Sequence, residues 1–510
     1  MSRTQAQGPP NRVSLVSRAL AADRLGVWTV VSIVGGAIAP LTVVAGGATT
    51  GWAVAQVVAI PLAYLVIALL LVLFSGGYTA MSRRFVSAGP LYTFPTKGLG
   101  RPAGVGSGFA ALLAYFTMDV GLLGGFGAVA SPLLADKLHV SVPWWAFALF
   151  ALLLVGFLGV RHVEQVGRVL AVLLLAEVLL TVVFAVVMFA HPAGGHVSFT
   201  AINPRQIGVA GFGAALAIAV AGFVGFESTG NLSEESKNPK RTIPLATYLA
   251  VGIIGFVYGG GALAMVVAAG PGNIIAKSGT DGTDTMFNLV APFVPAALVT
   301  LGKVLLLTSL FAASLAFHAI LSRYAFTMSR EGVLPTALSR TSARTHAPVV
   351  ASVTVSALSL LVVGVYAVKH WDPLVKLFFW QTVIGGFGVL ALMVITSAAT
   401  AVFFTRRRNR ADGIGIGRGI IAPTLSVFAL GWVLIETLQQ FHELLGVDPS
   451  SPLRWVFPAL FAVAFVFGLI RTGYVHARKP NIYRAIGTGM PPATDNPLRP
   501  GVPATVAGGW

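Results

Sequence analysis

Gly222-Phe223-Val224-Gly225-Phe226-Glu227, followed by Glu234-Glu235-Ser236-Lys237-Asn238-Pro239-Lys240-Arg241-Thr242-Ile243-Pro244, is the stretch on which the reading of this chain turns. It joins two long apolar segments. Gly222 and Gly225 weaken the helix that enters it, and a proline opens the segment that leaves it. An acid at the end of an apolar span is expensive unless it is paired or hydrated. A broken helix beside such an acid points to a transport site more than to a structural span.

Composition agrees. Of the 510 residues, 56% are hydrophobic and 10% charged, and the mean hydropathy is +0.83. Apolar runs of about 20 residues are what a bilayer-spanning helix requires, and twelve can be placed: 25–46, 52–74, 103–135, 143–160, 168–189, 209–228, 244–269, 294–327, 348–368, 378–404, 418–440 and 453–472. The net charge of +17 does not indicate nucleic acid, because the basic residues sit in short loops and form no face interleaved with aromatics. With the N-terminus inside, 27 of the 34 basic residues fall in cytoplasmic segments or span ends and six in outer loops, leaving Lys303 within span eight. That bias predicts both termini in the cytoplasm. Cysteine is absent, so disulfides and thiolate metal sites are excluded. Residues 1–24 lack a signal-peptide pattern, and the Pro/Gly-rich tails 1–22 and 485–510 are expected to be disordered. The Ala/Gly/Val/Arg-rich usage resembles that of a high-GC bacterium, and its plasma membrane is the expected location.

A second break lies in span one, at Gly35-Gly36-Ala37-Ile38-Ala39-Pro40. It stands five spans before the break in span six. Five is odd, so a second set of five spans would be inserted upside down relative to the first. Matched interrupted spans in two halves point to a midplane binding site, where unwound backbone offers N–H groups to an anion and C=O groups to a cation. Close packing through glycine is the structural alternative.

Ionisable residues at bilayer depth cost at least about 2.5–3.5 kcal/mol on insertion scales and are site candidates by default. Glu177 lies halfway along span five, where a protonatable carboxyl could carry a coupled proton; a neutral Glu bonded across helices is the alternative. Asp119 is central in span three, with Tyr115 one turn before it on the same face. It could hold an ammonium or share the proton, or serve as partner to a Ser, Thr or Lys nearby. Lys303 is expected to pair with one of these acids or to snorkel outward. His318 reads as a packing residue and Glu436 as interfacial. Glu227 is a gate candidate. Asn231-Leu232-Ser233-Glu234 has the form of a capping box, and Pro244 suits the first turn of span seven. Gly413 to Gly417 reads as a flexible linker.

Four pieces in order make the chain resemble the amino acid–polyamine–organocation superfamily: Leu25-Gly26-Val27-Trp28; Ala88-Gly89-Pro90-Leu91-Tyr92-Thr93 with Gly98 to Pro102; the Gly-Phe-Glu and Asn-Pro loop after span six; and Ser322-Arg323-Tyr324 with Ser329-Arg330-Glu331-Gly332-Val333-Leu334-Pro335. The loop 237–247 is also similar to that of arginine/agmatine exchangers. The resemblance implies an all-α integral membrane fold of twelve helices. In it a five-plus-five inverted repeat (about 25–189 and 209–404) has broken helices one and six, helices eleven and twelve (418–472) are additional, and a cytoplasmic tail follows from 473. Spans one, two, six and seven would rock against the rest. It further implies that span-one amides hold a substrate carboxylate while carbonyls of spans one and six hold its amine. The candidate substrate-binding residues are thus Gly35, Gly36, Ala37, Ala39, Pro40, Thr42 and Tyr115, with Ala221, Gly222, Phe223, Val224, Gly225 and Phe226.

The chain departs from that pattern at Pro40-Leu41-Thr42, which replaces the usual Gly-x-Gly and removes one N–H donor. The aromatic gate of the exchangers falls at Ala221, leaving Phe223 and Phe226 as neighbours that could serve. Glu177 stands near where proton-coupled relatives carry a lysine and where sodium-coupled ones bind the ion. The expectation is a secondary active importer of an amino acid or related amine, coupled to protons through Glu177 and Asp119, with no cofactor, metal or nucleic acid. An exchanger is the alternative; a substrate sensor or a channel fits less well. No HExxH, Gly-x-Ser-x-Gly or Walker pattern supports an enzyme. Helices eleven and twelve could form a homodimer contact.

Overall fold

The computed structural model describes residues 16–17, 20–138, 141–406 and 414–492. They form helices almost throughout. In chain order these are α1 (Val27–Ile38), α2 (Ala48–Ala55), α3 (Ile60–Ser82), α4 (Pro90–Gly98), α5 (Arg101–Leu138), α6 (Trp144–Gly159), α7 (Val163–Ala190), α8 (Phe212–Phe223) and α9 (Pro239–Ala269). After them come α10 (Ile274–Asp281), α11 (Thr285–Val290), α12 (Ala296–Arg330), α13 (Val349–Val368), α14 (Trp380–Thr405), α15 (Ala422–Gln439), α16 (Phe441–Leu445), α17 (Leu453–Arg478) and α18 (Pro480–Ala485). Two-residue strands β1 (Val16–Ser17) and β2 (Thr341–Ser342) pair antiparallel. Among the described residues eleven helical segments are long and apolar enough to cross a membrane. The chain is therefore a multi-pass membrane protein. The fourth expected span is the shorter apolar helix α6, of 16 residues.

Two boundaries need correction. Span one does not end at 46: a π-helical turn, Thr42–Gly47, carries it into α2, and the next span runs over Ile60–Ser82 rather than 52–74. The Gly- and Thr-rich stretch 46–51 looks like a loop, yet Thr49 and Thr50 return their hydroxyls to carbonyls of the preceding turn. The broken span six likewise continues to Glu235 as a 3-10 helix, Phe226–Glu235. Its length overturns the capping box, since the Asn231 side chain has no hydrogen-bond partner and the Ser233 hydroxyl pairs with the Ser87 backbone instead. Pro239, not Pro244, opens α9.

The four sequence pieces converge at one end of the bundle. The N–H groups of Arg24 and Leu25 donate to the Glu235 carbonyl, and Lys237 N–H donates back to Leu25. Arg323 holds the Glu235 carboxylate through both Nε and Nη2, at 2.9–3.2 Å. Arg330 grips Glu234 at 2.7 and 2.9 Å, and Glu234 also accepts from Ala88 N–H. Tyr324 Oη accepts from Leu91 N–H. The last described residues lie here as well, because Gly487 and Gly489 donate their N–H groups to the buried Glu331 carboxylate. Residues 486–490 are thus ordered, against the expectation for the tail. The rest of that tail, residues 1–15 and part of the Gly413–Gly417 linker lie outside the described residues. We refer to this end as the termini face.

Candidate functional site

Each interrupted span breaks at one or two residues. In span one only Ala39 leaves the helical region, at φ +46° and ψ +72°, a left-handed conformation uncommon for a side chain with a Cβ. Gly35 and Gly36 are helical, not unwound: a Cβ on them would run into Leu174 and Leu170 of α7. Their role is close packing, the alternative reading of the glycines, and neither they nor Pro40 line the cavity described below. In span six the break falls on Val224 and Gly225. Gly225 has φ +117°, and a Cβ there would lie 2.8 Å from the Ala37 Cβ. The two breaks therefore touch, and only glycine permits that approach.

A carboxylate caps the second half of each broken span. At α1 the Leu41 N–H points to Glu177 Oε2 (3.5 Å), which also accepts from Ser309 Oγ (2.7 Å). Thr42 N–H donates to the same serine at 3.3 Å. At α8 the Gly225 N–H donates to Glu227 Oε2 (3.0 Å), whose Oε1 accepts from Tyr115 Oη (2.7 Å). A helix N-terminus favours a negative group, and both acids are buried. This bears on one implication of the resemblance. Pro40 has no N–H, Leu41 and Thr42 spend theirs on Glu177 and Ser309, and Val43 donates to Ala39; the amides of the span-one break are already occupied.

The carbonyls balance this. Leu41 and Gly225 would ordinarily donate to Ala37 and Ala221 four residues back, but the two carboxylates draw those N–H groups away. Tyr258 of α9 bridges the helix ends, donating toward Ile38 O at 2.5 Å and Gly222 O at 3.0 Å.

Between the breaks and the far end of the bundle lies a cavity of about 70 Å³. Ala37, Ala39, Thr42, Ala221, Gly222 and Val224 of the expected set line it. Tyr115, Phe223, Gly225 and Phe226 do not. Phe223 packs on Tyr258 and Phe226 on Phe74, so neither stands over the cavity. The other walls come from Met118 and Leu122 of α5, Phe317 of α12, and Phe378, Phe379 and Thr382 leading into α14. Among the described residues no charged side chain lines it. Its polar side chains are Thr42, Thr50 and Thr382, and the buried Thr42 Oγ1 has no hydrogen-bond partner.

Toward the termini face the cavity is closed. Tyr115 packs at a tilt between Phe317 and Tyr324, Tyr78 Oη donates to the Glu227 carbonyl, and the Glu235–Arg323 and Glu234–Arg330 pairs lie beyond. Glu227 therefore sits at the break and not at the inner end of the span. Asp119 is brought to neither break. It accepts from Ser314 (3.4 Å) and Ser359 (2.9 Å), with His318 Nδ1 at 3.9 Å, an interhelical polar knot joining α5, α12 and α13. Lys303 pairs with Asp284 at 3.0 Å, outward and away from both acids. Glu436 accepts from Gln440 near the end of α15.

Sequence reasoning missed Ser309, Tyr258 and the α5 and α14 walls. Tyr258 had a signal, a hydroxyl beside Gly259-Gly260-Gly261 in an otherwise apolar span.

A family model described as amino acid permease matches residues 25–490. The chain belongs to the amino acid permease family. That places it in the amino acid–polyamine–organocation superfamily that the four sequence pieces resemble. It is 28% identical over 293 residues to the low-affinity putrescine importer PlaP of Escherichia coli K12, covering 54% of this chain and 60% of that protein. It is 24% identical over 403 residues to the branched-chain amino acid permease BcaP of Bacillus subtilis, covering 72% and 80%. The corresponding BcaP of Lactococcus lactis is 24% identical over 55% of this chain and 63% of its own length. The match thus spans about three fifths of the putrescine importer.

Proposed function

We propose that this permease is a secondary active transporter that imports a neutral, apolar amino acid with protons by alternating access, both termini being cytoplasmic. The observation that carries the substrate class is the cavity wall, which is apolar and has no ionised side chain. A diamine would bring two ammonium groups and needs acidic partners for both. An α-amino acid brings opposite charges that the two broken helices can meet with backbone, while its aliphatic side chain faces Met118, Leu122 and Phe317. The named activity of the branched-chain permeases agrees with this reading; that of the putrescine importer agrees only with the coarser class of amino acids and amines.

In this proposal the carbonyls of Ala37 and Ala221 accept from the substrate ammonium. Thr42 Oγ1 donates to its carboxylate. Glu177 carries the proton: while ionised it holds Leu41 N–H, and once protonated it accepts more weakly, so that amide turns to the substrate carboxylate. Proton and substrate then load together. The five-plus-five inverted repeat supplies the motion, with the Glu235–Arg323 and Glu234–Arg330 pairs parting as the termini face opens. Asp119 is left a structural role.

The test is uptake into proteoliposomes of labelled leucine, glutamate, lysine and putrescine, with and without an inward proton gradient. Leucine alone should accumulate, and Glu177→Gln should abolish gradient-driven accumulation while sparing counterflow. Uptake that ignores the gradient and requires internal substrate would leave the exchanger.

A further inference from the structure

At the far end of the bundle α8 begins without a cap of its own. Gly211 precedes it in the left-handed region, at φ +86°, and offers no side chain to the first turn. The missing acceptor comes from another span. Gln440, at the joint between α15 and α16, accepts through Oε1 from the Ala214 N–H at 2.7 Å. Glu436 Oε2, held by Gln440 Nε2 at 3.3 Å, lies at the same helix end, where a negative group is favoured. The approach is close: a Cβ on Gly213 would lie 2.5 Å from Gln440 Nε2 and 2.9 Å from Glu436 Oε2.

The short α16 is fixed on its other side. Phe441, Leu444 and Leu445 are buried. Phe441 packs edge-on against Phe387 of α14, and Trp380, the first residue of α14, donates its indole N–H to the Leu445 carbonyl at 3.0 Å. α14 thus holds this elbow through an aromatic pair, an indole and buried side chains, whereas the bond to the first turn of α8 is a single one. α8 and α14 are also two walls of the central cavity, at Ile218 and Ala221 and at Thr382 and Val383. The elbow therefore ties the two walls together where the cavity meets the far end.

We propose that Gln440 and α16 form a latch across α8 and α14, and that the Gln440–Ala214 bond parts when the cavity opens at the far end. The latch rests on the alternating-access reading, in which α8 belongs to the rocking body and α14 to the body it rocks against. An elbow fixed to both cannot follow both. The contact that gives is the weaker one, a hydrogen bond whose two halves water can take over. The buried side chains on α14 stay, because exposing them costs free energy in proportion to their apolar area. Span eleven is then a working part of the gate and not only an addition to the ten-span core.

The absence of cysteine allows a direct test in the full chain. Gly213→Cys/Gln440→Cys places two thiols across the latch, and the shortened side chain at 440 clears the space that the new one at 213 enters. Oxidised with copper phenanthroline in proteoliposomes, this protein should lose at least about ten-fold in leucine counterflow and regain it on reduction. A crosslinked protein that exchanges at the reduced rate would show that α16 travels with α8, and would overturn the latch. The second measurement needs no transport. Gln440→Met keeps the length of the side chain and removes the acceptor, leaving the Ala214 N–H unpaired while the far end is closed and hydrated once it opens. In an Ala313→Cys background, an impermeant thiol reagent applied opposite the termini should then label the cavity wall at least about five-fold faster than with Gln440 intact. Equal rates would overturn the latch whatever the transport assay shows; faster labelling with no uptake of any substrate would support the latch and count against the transport reading alone.

Discussion

Thr42 is the residue at which the departure of this chain from its family pattern becomes chemistry. A Gly-x-Gly turn would offer bare amides; Pro40-Leu41-Thr42 offers one fewer N–H and a hydroxyl without a partner, beside a cavity. A net hydrogen bond to a charged group is worth about 1.5–3 kcal/mol. Thr42→Val keeps the shape and removes the donor, so the apparent KM for the transported amino acid should rise at least ten-fold with thermal stability unchanged. A KM within two-fold of wild type would remove Thr42 from the substrate's contacts. The position of Glu177 was legible in the sequence as an isolated acid in an apolar span. Its partners were not, because Ser309 and Leu41 lie 132 and 136 residues away and no local pattern encodes such a meeting. Asp119 looked equally eligible by depth alone. The serines of α12 and α13 that occupy it are ordinary span residues in the sequence, which is why depth could not separate the two acids.

At the scale of the helix, glycine and proline located both interruptions to within a few residues but assigned them too much unwound chain. The reason is the neighbouring helix. Gly35 and Gly36 stay helical because α7 presses Leu174 and Leu170 onto them, and the deviation falls instead on Ala39, next to the proline. The bridge from α9 is the other feature that periodicity could not supply. Tyr258→Phe leaves two helix-end carbonyls without their shared donor, and a buried polar group left unsatisfied costs about 1–3 kcal/mol. The variant should therefore unfold in detergent at a temperature lower by several degrees and lose most transport. Unchanged melting, followed by intrinsic fluorescence, would mean that the bridge bears no weight. The span boundaries were most legible where charge follows apolar chain, as at Arg83, and least where Gly and Thr stay helical, as at 46–51.

For the whole molecule, the four family pieces matter because they meet. Sequence order scatters them over about 300 residues, yet they form one polar seal across α1, α4, the 3-10 segment and α12. Breaking a buried ion pair by removing one partner costs about 3–5 kcal/mol. Arg323→Gln should shift the proposed cycle toward opening at the termini face. The chain has no cysteine, so a single Ala313→Cys in the cavity wall reports this without background: a thiol reagent applied from the termini side should label it faster in the Arg323→Gln protein, and equal rates would show that the pair does not control access. The same freedom from cysteine tests orientation. In intact cells an impermeant reagent should reach Arg205→Cys and spare Arg478→Cys; the reverse pattern would invert the topology that the basic residues predict.

The hydroxyl of Tyr258 has a consequence for how ligands are sensed. Because one oxygen bonds to the ends of both α1 and α8, a shift of either break is felt at the other. A molecule that grips only one of them, such as a bare carboxylate at Thr42, still tugs on both, so the pair behaves as a single joint with two handles. In the proposed cycle recognition and movement then share a hinge, and the smallest body that would rock is the coupled pair rather than either helix.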